Sequence, residues 1–172
     1  MRIVLTGPES TGKTSLAQYL SEYYGGIYIP EFARSYIGQL QRSYTFEDVN
    51  HISRIQEMQV KETLAMNEKI FFIDTYLIIS KIWFEVVFHC CPVWIDKAIR
   101  KSKIDLFLLC NTDIPWYPDA VRENGGEKRE QLFSMYREEL DRYGFNYEII
   151  KGENNERREA AVEAVYKNLK IK

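Results

Sequence analysis

Histidine, cysteine and tryptophan are all scarce here, with 2, 3 and 3 copies among 172 residues. His51 and His89 have no nucleophile or ligand partner at a recognisable spacing, so neither a hydrolytic triad nor a histidine-based metal centre is indicated. Cys90, Cys91 and Cys110 are too few for a disulfide framework and fit a reducing, cytoplasmic setting. Cys90 and Cys91 are adjacent, but no second Cys/His pair lies at zinc spacing, so a structural role is expected for them. Neither sign of charge dominates: 23 basic side chains face 25 acidic ones, for a net charge of −2. Without a basic stripe, nucleic-acid binding is disfavoured. Long apolar runs are missing too, and nothing approaches the ~20 residues of a membrane span. Ile3-Val4-Leu5 is too short for the apolar region of an export signal. With no internal repeat, low-complexity tract or linker, residues 1–172 read as one domain, able to bury roughly 70% of its unfolded surface.

What the chain does have is Gly7-Pro-Glu-Ser-Thr-Gly-Lys-Thr14 directly after that short apolar run. The segment matches G-x-x-x-x-G-K-[ST], a phosphate-binding loop, and sits where such a loop must sit, between a strand and a helix. Leu16, Leu20 and Tyr23 recur behind it at helical spacing. A triphosphate is dense in negative charge, and the loop answers with backbone N–H donors and a helix N-terminus. Gly7, Pro8, Glu9, Ser10, Thr11, Gly12, Lys13, Thr14 and Ser15 are therefore the candidate ATP-binding residues. Lys13 suits the β- and γ-phosphates, and the Thr14 hydroxyl suits Mg²⁺.

Strand-like runs at Arg2–Thr6, 26–30, 70–74, 105–110 and Tyr147–Ile150 alternate with helical patterns at Lys13–Tyr24, 46–68, 77–89, 128–143 and 156–169. That alternation predicts an α/β fold, a mostly parallel five-stranded sheet with helices on both faces. Thr45-Phe-Glu-Asp48 reads as a capping box opening the second helix. Asn124-Gly125-Gly126, flanked by Arg122, Lys128 and Arg129, suggests a lid spanning about 113–130.

Beyond the loop, Ile70-Phe-Phe-Ile-Asp74 is an apolar strand ending in a carboxylate, the pattern of an acid that holds Mg²⁺ beside a phosphate loop. Glu31 and Arg34 follow the second strand, where open α/β sheets gather ligands. Glu31 could orient or deprotonate an attacking hydroxyl while Arg34 anchors the acceptor. The other reading is a helix N-terminus, with Glu31 complementing the dipole and Arg34 in a surface pair. Trp116, in the stiff Asp113-Ile-Pro-Trp116 segment, could stack on a heteroaromatic ring or cover the sheet edge. Arg122 and Arg129 could reach a transferring phosphoryl group or lie on a solvated helix face.

Taken together, the phosphate loop, Pro30-Glu31-Phe-Ala-Arg34-Ser-Tyr36, Phe72-Ile-Asp74-Thr75 with Lys81-Ile-Trp83, Asp105–Cys110 and Asp113-Ile-Pro-Trp116 resemble the ribosylnicotinamide kinase domain of the NadR proteins, end to end. The resemblance implies a nucleoside-kinase-like phosphate-loop fold with strand order 2-3-1-4-5. It also implies a reaction in which ATP and Mg²⁺ phosphorylate nicotinamide riboside, a small-molecule substrate, to its mononucleotide. On that pattern Lys13, Glu31, Asp74, Arg122 and Arg129 are the catalytic candidates. Glu31, Arg34, Tyr36, Asp74 and Trp116 are those for the acceptor, Thr14 and Asp74 those for the metal, and Arg157 lies near adenine. The family commonly reads Asp-Thr-Asp where this chain has Asp74-Thr75-Tyr76. The His-x-Gly-His motif of the family's nucleotidyltransferase domain is absent, and 172 residues leave no spare length for that domain or for the helix-turn-helix that some members add, so no adenylation and no operator binding are expected of this chain by itself.

Overall fold

The computed structural model describes residues 1–66, 69–117 and 125–169. Five strands form one all-parallel sheet: β1 (Arg2–Thr6), β2 (Ile27–Ile29), β3 (Phe71–Asp74), β4 (Leu106–Cys110) and β5 (Tyr147–Ile150), in the order β2-β3-β1-β4-β5. The helices are α1 (Lys13–Tyr24), α2 (Phe32–Gln39), α3 (Phe46–Thr63), α4 (Leu77–Phe88), α5 (Val93–Lys101), α6 (Glu127–Tyr143) and α7 (Asn154–Leu169). The predicted strand order holds. α5 stands where no helix was expected, α2 opens at the helix N-terminus weighed for Glu31 although no helical pattern was read beyond it, and α3 ends at Thr63, short of the predicted 68.

Strand parity divides the core in two. Ile3, Leu5, Phe72, Leu106, Leu108 and Cys110 pack with Leu16, Ala17 and Leu20 of α1 and Ala161, Ala164 and Val165 of α7. Val4, Phe71, Ile73, Phe107 and Leu109 face the other way, onto a cluster with Val49 and Val60 of α3, Ile78, Ile82 and Phe84 of α4, Ile95 and Ile99 of α5, and Leu140 of α6. Successive strand residues point to opposite faces, so a parallel sheet covered on both sides reads as unbroken apolar runs. Each fully buried large apolar side chain contributes roughly 1.5–3 kcal/mol. α4 carries Leu77, Ile78, Ile82 and Phe84 buried because it lies between α3, α5 and α6.

The same parity positions the site. Asp74 is two residues beyond Phe72 and pairs in register with Leu5, so its carboxylate emerges on the α1 face at the carboxyl end of the sheet. The capping box forms as expected: Asp48 accepts from the Thr45 backbone N–H at 2.7 Å, and the Thr45 hydroxyl accepts from the Asp48 N–H at 3.4 Å. Among the described residues no helix is long and apolar enough to cross a membrane.

Candidate active site

The phosphate-loop motif spans the turn from β1 to α1. Gly7 has φ +129, and a Cβ there would lie 2.7 Å from the Cys110 carbonyl oxygen. Only glycine allows this close passage of loop and β4. Gly12, at φ 76, is the N-cap of α1 and supplies no side-chain cap, leaving the first amides of the helix for an anion. Ser10 also lies in the left-handed region, at φ 56. Pro8 supplies the anchoring carbonyl, accepting from the Thr11 hydroxyl at 2.8 Å and from Lys13 Nζ at 2.7 Å. Lys13 therefore lies along the loop, within reach of whatever the loop holds.

Asp74 is the site's buried acid, 2% exposed. Its Oδ2 accepts from the Thr14 hydroxyl at 2.6 Å and from the Tyr28 hydroxyl at 3.4 Å. Burial, then the nearby Asp74 carboxylate, pushes the Tyr28 phenol up to about 12. Asp74 Oδ1 is buried without a hydrogen-bond partner among the described residues. An orphaned carboxylate oxygen calls for an explanation, and a hard oxygen donor beside a threonine hydroxyl suits Mg²⁺. Thr14 and Asp74 are the residues that fit such an ion.

Immediately after Asp74, Thr75 has φ +70, a conformation a β-branched residue rarely adopts. It is held there from both ends. Its N–H donates to the Leu5 carbonyl at 3.0 Å, extending the β1–β3 ladder. Its hydroxyl accepts from Gln56 Nε2 at 3.1 Å, and Gln56 Oε1 accepts from Ser80 at 3.0 Å. This buried chain fixes the turn that presents Asp74. Sequence reading missed it, because no local pattern announces that Gln56 and Ser80 meet at residue 75. It missed Tyr28 as well, although strand alternation places Tyr28 on the Asp74 side of the sheet.

Glu31 is the N-cap of α2 without a capping hydrogen bond, so its carboxylate is left for other work. It is half-buried, and burial is the main cause that raises its pKa above the ordinary glutamate value. Lys13 and Arg34 pull it down, while Asp74 and Glu9 push it up. Those influences place Glu31 in the same electrostatic neighbourhood as Lys13 and Asp74. Arg34 is exposed. Tyr36 donates its hydroxyl to Asp48 at 2.9 Å, which ties α2 to the cap of α3. Tyr76, at the position of the family's second acid, is 3% exposed and packs in the core cluster on the α3–α6 side.

The remaining candidates divide. Arg122 lies outside the described residues, as do 118–124 of the expected lid. Arg129, expected to meet a transferring phosphoryl group or to lie on a solvated face, is instead buried at 5% exposure. It donates to the carbonyls of Glu9 at 3.1 Å, Ile114 at 2.8 Å and Ser10 at 2.7 Å. Arg157, expected near adenine, is likewise buried and donates to the carbonyls of Gly152, Ile150 and Asn111 and to the Asp113 carboxylate. It joins the ends of β4 and β5 and leaves few donors for a base. Trp116 is half-buried, with its ring against Gly125, where a Cβ would sit 3.2 Å from the indole. Cys90 and Cys91 belong to no group of three or more His, Cys, Asp or Glu side chains placed for a metal among the described residues, and burial pushes Cys91 up to about 11.

A family model described as an AAA domain matches residues 2–158. The chain belongs to that AAA domain family. The chain is 20% identical over 161 residues to the trifunctional NAD biosynthesis/regulator protein NadR of Escherichia coli (strain K12), covering 91% of this chain and 39% of that protein. Among solved structures it is similar to NadR in complex with NR, with TM-score 0.78 and 21% identity over 99% of this chain and 50% of that one. A deoxyadenosine kinase from M. mycoides aligns with TM-score 0.65 and 16% identity, over 98% of this chain and 99% of that enzyme. The chain spans well under half the length of the curated NadR relative it matches. At these identities the structural likenesses establish the fold: the AAA domain is a kinase-like phosphate-loop sheet. The likeness to NadR read from the motifs recurs in the whole sequence and in the structure.

Proposed function

We propose that this protein is an ATP-dependent kinase that phosphorylates the 5′-hydroxyl of nicotinamide riboside. The observation that carries the reading is the Thr14–Asp74 pair at the mouth of the phosphate loop, 2.6 Å apart, with the second Asp74 oxygen buried and unpartnered. The choice of acceptor rests on the likeness to NadR, whose solved structure holds NR.

In this account the loop amides and Lys13 bind the phosphates, Lys13 exchanging the Pro8 carbonyl for phosphate oxygens. Thr14 and Asp74 would hold Mg²⁺, which when bound neutralises charge on the transferring group. Glu31 orients the acceptor hydroxyl and takes its proton. A raised pKa brings a carboxylate closer to what a base needs near neutral pH. Arg34 helps to seat the acceptor at the rim. Phosphoryl transfer depends chiefly on positioning and charge neutralisation, so Lys13 matters more than Glu31.

One observation favours a second acceptor, another nucleoside: Tyr76 turns into the core where the family commonly has an acid. Incubation with ATP, Mg²⁺ and a panel of nucleosides, with products resolved by mass spectrometry, separates the two. Nicotinamide mononucleotide as the preferred product supports the reading. Preference for another nucleoside supports the second, and phosphate release without any acceptor product refutes both.

A further inference from the structure

We propose that Arg129 is a positioning residue for nucleotide binding, fixing the phosphate loop from behind and never touching the transferred group. The inference rests on the reading of the loop as a polyphosphate site and adds what holds it in shape. Arg129 lies in the first turn of α6, where a cation opposes the helix dipole, and it is buried as well. Both circumstances are unfavourable, and the guanidinium stays because it finds acceptors. These are the carbonyls of Glu9 and Ser10, adjacent in the loop, and of Ile114 across from it.

The consequence follows from peptide geometry. A trans peptide directs its C=O and its N–H to opposite sides, and the described chain has no cis bond. The carbonyl of Glu9 shares a plane with the N–H of Ser10, and that of Ser10 with the N–H of Thr11. With both carbonyls drawn to Arg129, both amides face the other side of the loop. Ser10 in the left-handed region gives this turn the form that makes successive N–H groups converge on an anion. Arg129 thereby holds the donors ready before any ligand arrives.

The same fork ties the loop to the 113–117 segment. Arg129 grips Ile114, the Tyr117 N–H donates to the Ser10 hydroxyl at 3.2 Å, and the Ile114 side chain lies 3.6 Å from where a Gly12 Cβ would be. Asp113 at the far end accepts from the Gly152 N–H at 2.8 Å. Lysine at 129 keeps the charge, but its three donors radiate from one nitrogen, so it does not reproduce a planar fork in which three separate nitrogens each serve a different carbonyl.

The test uses full-length Arg129→Lys and Arg129→Met. In ligand-free protein, the NMR order parameters of amides 9–12 should fall in both variants from about 0.85 toward about 0.6, while those in α4 stay as in the parent. Affinities for ADP and for ATP should fall by the same factor, about tenfold. If Arg129→Met does not fold, Arg129→Lys carries the test alone. Unchanged loop order parameters overturn the proposal. So does a loss confined to ATP with ADP affinity intact, which would make Arg129 a contact of the terminal phosphoryl group. Should the parent bind neither nucleotide, the kinase reading fails, and the order parameters still judge the brace.

Discussion

Replacing Glu31 with glutamine keeps the shape of the side chain and removes its charge, and the structure gives stability and turnover opposite signs. Burial raises the pKa of this carboxyl, assisted by Asp74 and Glu9 and opposed by Lys13 and Arg34. In the unfolded chain Glu31 titrates at the ordinary glutamate value. Between that value and the raised one the folded state binds more protons, so the contribution of Glu31 to stability is full below the ordinary pKa and is lost as pH rises through the raised one. Above that raised pKa the protein holds a carboxylate where a neutral group would be preferred. Glu31→Gln should therefore melt at a higher temperature than the parent on the alkaline side of the raised pKa, with the gap closing as pH falls toward the ordinary glutamate value. Turnover should fall by about 10²-fold, or ~2.7 kcal/mol of barrier, the low end for a lost general base. ATP affinity should stay within about twofold, a few tenths of a kcal/mol. Parent acceptor turnover should decline on the acid side with a midpoint above that of ordinary glutamate. Thermal melts across pH, nucleotide calorimetry and initial rates check each part. A variant less stable than the parent at every pH, or an equal loss of ATP binding and turnover, would refute the assignment.

Three further outcomes are expected. Asp74→Asn should raise the free Mg²⁺ needed for half-maximal turnover by about 10–100-fold, read from rates against metal concentration. Thr75→Gly relieves a left-handed strain of about 1–3 kcal/mol but loses the Gln56 hydrogen bond and adds chain entropy, so it should lie within about 1 kcal/mol of the parent. Thr75→Ala keeps the strain and should be the less stable of the two in urea unfolding. Thr45→Ala should cost about 1 kcal/mol through loss of the α3 cap, a drop of roughly 2–4 °C in Tm, without affecting nucleotide affinity.

The parts of the fold legible in the sequence are those with strong local causes. β1, α1, α6 and β5 end where expected because apolar runs mark the strands, the phosphate loop separates β1 from α1, and Gly25 and Gly144 close α1 and α6. The box at Thr45 and Asp48 announced the start of α3. By contrast, α2 is eight residues long, contains Gly38 and buries only Ala33 among its residues, too little periodicity to register. α5 opens on Val93-Trp94-Ile95, residue types that also suit strands. At the site, the loop and Asp74 were visible because strand parity and motif spacing are local. The surroundings of Arg129, Arg157 and Thr75 were not, because each depends on a distant partner: Glu9 lies 120 residues from Arg129, Asn111 46 from Arg157 and Gln56 19 from Thr75. A charged residue in a first helical turn looks the same in sequence whether it meets solvent, a ligand or a loop backbone.

Calorimetric titration of ATP in the presence of Mg²⁺, into the parent and into Lys13→Ala, decides whether the loop grips a polyphosphate. One nucleotide should bind saturably per chain, weakened by at least about tenfold in the variant, as for a lost charge-assisted contact. No heat of binding in the parent, or equal affinity in the two proteins, would contradict it.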